Sequence, residues 1–219
     1  MSKTDLSVKE LLINIDNLPD LQILLEDNIA HLPLVTQTTD LVHGEGNQQA
    51  EIMLIGEAPG YHEVLQRRPF VGRSGQLLRQ TLESNGLPVK NLFISNIIKA
   101  RPPDNRDPSP QEILAFKPFL DKEITLIQPK LIITLGRFSM AKFLEEVKIS
   151  QTHGRLHSLK WQNQDLFVLP MYHPAAALRS TQLKQSFIED FKKIDKIMQW
   201  IESQKETLSF KKQLREELF

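Results

Sequence analysis

Four short apolar runs divide the chain: Ile52-Met53-Leu54-Ile55, Leu92-Phe93-Ile94, Leu131-Ile132-Ile133-Thr134-Leu135 and Leu166-Phe167-Val168-Leu169. Each has the length and composition of a buried strand. They are apolar throughout rather than alternating, as expected of strands covered on both faces. Between them lie segments of helical character. One spans Gly75–Glu83 and stops at Asn85-Gly86 and Pro88. Another opens at Ser109-Pro110-Gln111-Glu112, with a capping serine, a proline in the first turn and a glutamate three residues on. It carries Ile113, Leu114, Phe116, Phe119, Leu120, Ile124 and Ile127 and stops before Pro129. A third covers Phe138–Glu145, and a long one begins near Thr181, with Phe187, Phe191, Ile194 and Ile201 on one stripe. Two short helices precede the first strand. One lies within Leu6–Ile15, and the other follows an interruption at Asn17-Leu18-Pro19-Asp20. His153–Asn163 reads as an irregular hairpin. Strands alternating with helices predict an α/β fold of three layers, α/β/α, around a four-stranded, mostly parallel sheet. Residues 1–203 are read as one domain, with 1–34 as N-terminal helices packed on it and 204–219 as a charged tail or helix extension.

Three polar residues stand at or just beyond strand ends: Glu57, Asn96 and His173. In a parallel sheet those ends lie on one side of the molecule, where α/β proteins place their chemistry. A lone residue of this kind is as readily a helix cap or a turn. Three on one rim point to a site. Phe70 joins them from the stretch Glu51–Gly75, in a loop between Pro69 and Val71-Gly72, where its ring serves either as a staple onto the core or as a flat wall for a planar ligand.

Composition narrows the chemistry. The chain has 219 residues, 27 basic and 27 acidic, and no cysteine. Disulfides, thiolate metal sites and a cysteine nucleophile are therefore excluded. The neutral balance announces no nucleic acid, but Val64–Arg106 holds eight basic residues against two acids, a local face suited to phosphates. No stretch approaches the roughly 20 apolar residues of a membrane span, and the N-terminus lacks an apolar signal core, so a cytoplasmic protein is expected. Phosphate-loop, zinc-protease and serine-hydrolase signatures are absent. His153 and His157 have no acidic partners nearby to make a metal pair.

The residues at these ends resemble the uracil-DNA glycosylase superfamily, most closely its family 4. The resemblance rests on Gly56-Glu57-Ala58-Pro59-Gly60 with Pro69-Phe70-Val71-Gly72, on Ser95-Asn96-Ile97-Ile98-Lys99 with Arg101-Pro102-Pro103-Asp104-Asn105-Arg106, on Pro129–Gly136, and on Tyr172-His173-Pro174-Ala175-Ala176-Ala177-Leu178-Arg179. It implies release of uracil from single- or double-stranded DNA by a monomer in base excision repair. It implies that Glu57, His173 and a secondary acid, Glu63, are catalytic. Phe70, Asn96, Ala58 and Gly56 would hold uracil. Leu178, Arg179, Arg73, Ser74 and Arg101 would meet DNA.

Two departures stand out. The four cysteines that hold an iron–sulfur cluster in family 4 align with Ile29, Leu32, Ala100 and Phe116, all apolar, so packing is expected in place of a cluster and no cofactor is expected. The acids usual after Gly60 are replaced by Tyr61-His62-Glu63-Val64. The loop Ala100–Pro110 has no histidine, unlike the branch that attaches covalently to DNA, so turnover is expected. The alternatives are a protein that binds uracil or abasic DNA without efficient cleavage, or a glycosylase for another deaminated base.

Overall fold

In the computed structural model, which describes residues 8–162 and 164–218, the four apolar runs become the parallel centre of a six-stranded sheet. The strands are β1 (Glu45–Gly46), β2 (Ile52–Gly56), β3 (Phe93–Asn96), β4 (Leu131–Leu135), β5 (His157–Trp161) and β6 (Gln164–Met171). Their spatial order is β1-β3-β2-β4-β6-β5. The inner four pair in parallel, and β1 and β5 add antiparallel edges. The expected four strands thus cover the parallel core and miss both edges. β1 is two residues within apparent turn chemistry, and β5 is one arm of the expected hairpin, half-buried and exposed by turns.

The helices are α1 (Val8–Ile13), α2 (Leu18–Asp27), α3 (Tyr61–Gln66), α4 (Arg73–Ser84), α5 (Pro110–Ile127), α6 (Arg137–Ala141), α7 (Ile149–Thr152), α8 (Pro174–Ala177), α9 (Thr181–Phe191) and α10 (Ile194–Leu218). The α5 start is the expected capping box: Ser109 Oγ accepts from the Glu112 N–H at 3.3 Å, and Glu112 Oε2 accepts from the Ser109 N–H at 2.7 Å. Asn17-Leu18-Pro19-Asp20 starts α2 rather than interrupting it. Asn17 Oδ1 accepts from the Asp20 N–H at 2.9 Å, and Pro19 sits in the first turn, where its missing N–H costs nothing. Tyr61–Gln66, between Gly60 and the Phe70 loop, is helical. The single long C-terminal helix is two, α9 and α10. They break after Phe191, and Asp190 in the last turn of α9 is buried, 2.6 Å from His153 and 2.7 Å from Lys193. The segment expected as a charged tail or helix extension continues α10. Leu6, expected in the first helix, lies outside the described residues. Among the described residues no helix is long and apolar enough to cross a membrane.

Alternate residues of each central strand feed separate cores. Met53, Ile55, Phe93 and Ile132 face a layer built from α1, α2 and α5, with Leu12, Leu18, Leu21, Leu25, Phe119 and Leu120. Ile52, Leu54, Ile94, Leu131 and Ile133 face one from α4, α9 and α10, with Leu78, Leu82, Phe187, Phe191 and Ile201. Burial on both sides explains why these runs are apolar at every position.

The four positions that the resemblance aligns with cysteines all lie in or against the first of these cores. Leu32, Ala100 and Phe116 are buried there, and Ile29 packs against that core. None can donate to iron, so these residues do not fit a cluster. They tie the chain after α2 to the start of α5 by apolar contact. Phe116→Ala is expected to cost about 3–5 kcal/mol, read as a lower urea midpoint. Chelators are expected to leave the melting temperature of the purified protein unchanged.

Candidate active site

The parallel strand ends converge as the sequence suggests. Gly56 and Asn96 are register partners at the ends of β2 and β3. The chain beyond β3 stays pinned to β2, with the Ile97 N–H donating to the Gly56 carbonyl at 3.0 Å and the Ile98 N–H to that of Glu57 at 3.2 Å. His173 stands two residues beyond β6 and caps α8. Between these ends opens a cavity of about 670 Å³, lined by Glu57, Ala58, Glu63, Phe70, Ser74, Asn96, His173 and Arg179 among others.

Asn96 and Phe70 meet over Gly56. A Cβ at Gly56 would overlap both Asn96 Oδ1 and Phe70 Cζ, so only glycine lets amide and ring close on this spot. Asn96 is 2% exposed. Among the described residues its Oδ1 has no hydrogen-bond partner. Leaving a buried acceptor unpaired costs about 1–3 kcal/mol, and such a group in a native protein calls for an outside partner.

Phe70 is held against backbone preference. Its φ is +53°, a region that costs a residue of this size about 1–3 kcal/mol unless its surroundings impose it. They do so from two sides. Glu63 Oε1 accepts from the Val71 N–H at 2.9 Å and the Gly72 N–H at 2.7 Å. Arg79 on α4 donates to the Phe70 carbonyl at 2.9 Å and the Pro69 carbonyl at 2.8 Å. Arg79 is itself paired with Glu45 on β1. Gly75 allows the first turn of α4 to pass the Phe70 carbonyl, where a Cβ would collide. The ring ends 6.0 Å from that of His173, tilted by 36°.

The three ionisable groups expected to be catalytic occupy different environments. Glu57 is half-buried on the cavity wall. Burial, aided by the nearby Asp107 and opposed by Arg137, pushes its carboxyl up to about 7. Burial pushes His173 down to about 4, with Glu63 opposing and Arg179 assisting. His173 Nδ1 accepts the Ala175 N–H at 3.2 Å. The neutral ring therefore carries its proton on Nε2, a donor without charge. Glu63 also lines the cavity, but its Oε1 is engaged with the loop backbone, and its contacts are those of a brace for Phe70.

Of the residues expected to meet DNA, Ser74 and Arg179 line the cavity. Leu178, 42% exposed, stands beside Arg179 between α8 and α9. Arg73 is exposed at the start of α4 and is not part of the lining. Arg101 is also outside it, bonded to Asn105 Oδ1 at 2.8 Å and lying 5.5 Å over the Tyr61 ring. Asp107 and Arg137, paired with each other, line the cavity and went unnoticed in the sequence. Arg137 follows Gly136 directly after β4, so the strand-end rule that selects Glu57 and Asn96 also reaches it.

The model of the uracil DNA glycosylase superfamily matches residues 43–200. The type-4 uracil-DNA glycosylase of Sulfurisphaera tokodaii is 45% identical over 162 residues, covering 71% of this chain and 74% of that protein. That of Saccharolobus solfataricus is 43% identical over 159 residues, covering 70% and 74%. That of Archaeoglobus fulgidus is 41% identical over 165 residues, covering 73% and 82%.

The raised Glu57 pKa has a consequence for stability. Its folded value of about 7 lies above the ordinary 4.5, so folding favours the neutral acid. That contribution is complete below the ordinary value and is lost as pH rises through about 7. Glu57→Gln is therefore expected to raise the melting temperature most above pH 7 and least near pH 4, in melts scanned across that range.

Proposed function

The chain belongs to the uracil-DNA glycosylase superfamily, and on that footing we propose that it hydrolyses the N-glycosidic bond of deoxyuridine in DNA, releasing uracil and leaving an abasic site for base excision repair. The observation that carries this reading is the unpaired, buried Oδ1 of Asn96 at the floor of the cavity. Uracil's N3–H supplies the donor that oxygen lacks, and its O4 accepts from the Asn96 amide nitrogen. Cytosine offers an acceptor at N3 and a donor at N4, which leaves the same groups mismatched. A polar site built for one pattern rejects the other strongly.

The uracil ring stacks on Phe70. Leu178 and Arg179 enter the space the base vacates, offsetting an extrusion cost of a few kcal/mol. As the C1′–N1 bond breaks, the bonding electrons pass to uracil and negative charge develops on O2. The His173 Nε2–H donates to that oxygen. A neutral donor here raises no charge of its own in the pocket. Glu57, ionised, stabilises the positive charge on the sugar and takes the proton of the attacking water. All of these groups come from one chain, and the reading takes it as a monomer acting on single- or double-stranded substrate.

The test is a labelled strand with one central uracil, incubated with enzyme and then heated in alkali. A break at the uracil is expected, and its absence from both single-stranded and U·G substrate at excess enzyme rejects the reading. A break at hypoxanthine instead would point to another deaminated base. His173→Ala is expected to lower the single-turnover rate about 100- to 1,000-fold. The wild-type rate is expected to rise with pH through about 7 as Glu57 ionises, with no limb from His173 above its value of about 4. Glu57→Gln removes that rise.

A further inference from the structure

Behind Asn96 lies a buried pair of charges that the chemistry above leaves idle. Lys99 is 1% exposed, and Glu123, on α5, is 5% exposed. Lys99 Nζ stands 2.6 Å from Glu123 Oε2. It also hydrogen-bonds Ser95 Oγ and donates to the Asn96 carbonyl oxygen at 3.3 Å. The Ser95 hydroxyl donates to the same Glu123 oxygen at 2.7 Å. An ammonium has three protons, and here three acceptors meet them. Ser95 and Asn96 are the last residues of β3, so the lysine folds back over one turn of chain to grip the strand end it has just left.

This arrangement is poorly explained by stability alone. A buried ion pair returns little more than its desolvation costs, and an apolar pair of similar volume is often as stable. Ile98, Ala100 and Phe119, the pair's neighbours along the chain, are all buried, and His43 is near enough to feel both charges. What the pair adds is direction. The Asn96 carbonyl is held by Lys99 Nζ, and the next peptide N–H, that of Ile97, is held by the Gly56 carbonyl at 3.0 Å. With both sides of that peptide bond fixed, the Asn96 side chain retains only its own torsions, and the close approach over Gly56 restricts those.

We propose that Lys99, locked by Glu123 and Ser95, is a positioning residue that acts through the Asn96 backbone to keep the amide acceptor aimed into the pocket. The inference rests on the glycosylase reading for its effect on turnover, though not for its effect on the amide itself.

The test compares Lys99→Met, Glu123→Leu and the double variant with wild type, following melting temperature, uracil release and the side-chain amide NMR signals of Asn96, which are assigned by their loss in Asn96→Asp. Each single variant is expected to melt lower, because each strands a buried charge. The double variant is expected to recover most of the melting temperature while its uracil release stays about 100-fold down, as for a misplacement of about 1 Å, and its Asn96 signals stay shifted or broadened. Recovery of the rate and of the Asn96 signals along with the melting temperature would overturn the proposal and leave the pair as a brace. If the double variant does not fold, Ser95→Ala removes one acceptor without touching either charge. Displaced Asn96 signals are expected there, and unchanged signals overturn the proposal. A wild-type protein that releases no uracil rejects the glycosylase reading alone, since the amide signals report positioning without turnover.

Discussion

At the end of β2 the amide of Asn96 and the ring of Phe70 close on the point a Cβ would occupy at Gly56, and the rest of the rim is arranged around that contact. Parallel pairing brings Asn96 level with Gly56. Glu63 and Arg79 force the Phe70 backbone into a conformation it does not favour, so that the ring arrives from the other side. Neither group is placed by local preference. Each is held by partners drawn from elsewhere in the chain, which is how a pocket keeps an unsatisfied acceptor.

The two carboxylates of the opening loop divide along the same line. Glu57 and Glu63 are six residues apart in sequence, and both line the cavity. Glu63 gives an oxygen to two amides and thereby fixes shape. Glu57 has its pKa raised by burial, which makes its charge responsive near neutral pH. His173 completes the set as a ring kept neutral by burial, its tautomer chosen by the Ala175 amide. A backbone brace, a carboxyl poised near neutrality and a neutral hydrogen-bond donor thus come from three different residues lining one cavity.

The parallel core and its two covering layers were legible because burial on both faces leaves an unmistakable trace, unbroken apolar runs such as Leu131–Leu135. The edges were not. β1 is two residues long and held by pairing with β3, an interaction without a local signature. The strand-end rule found Glu57, Asn96 and His173, since parallel topology makes their convergence geometric. The resemblance brought Glu63 to the same cavity but not its hold on the Val71 and Gly72 amides, because a backbone hydrogen bond eight or nine residues away has no sequence pattern. Arg137 stood within reach of the strand-end rule just beyond β4, whereas Asp107 was missed for a similar reason to the Glu63 contacts. Their pairing spans thirty residues and appears only once α6 is seated beside the proline-rich loop.

The two-residue strand β1 carries more than its length suggests. Its Glu45 binds Arg68 and Arg79, and those arginines hold it below the usual carboxylate range despite partial burial. Arg79 in turn holds the carbonyls of Pro69 and Phe70. The margin of the sheet and the aromatic wall of the pocket are therefore joined by one side chain. Fraying of that margin, the part of any sheet that opens first, would loosen the grip on the ring, so the outermost hydrogen bonds of this fold help to set how rigid its most enclosed surface can be.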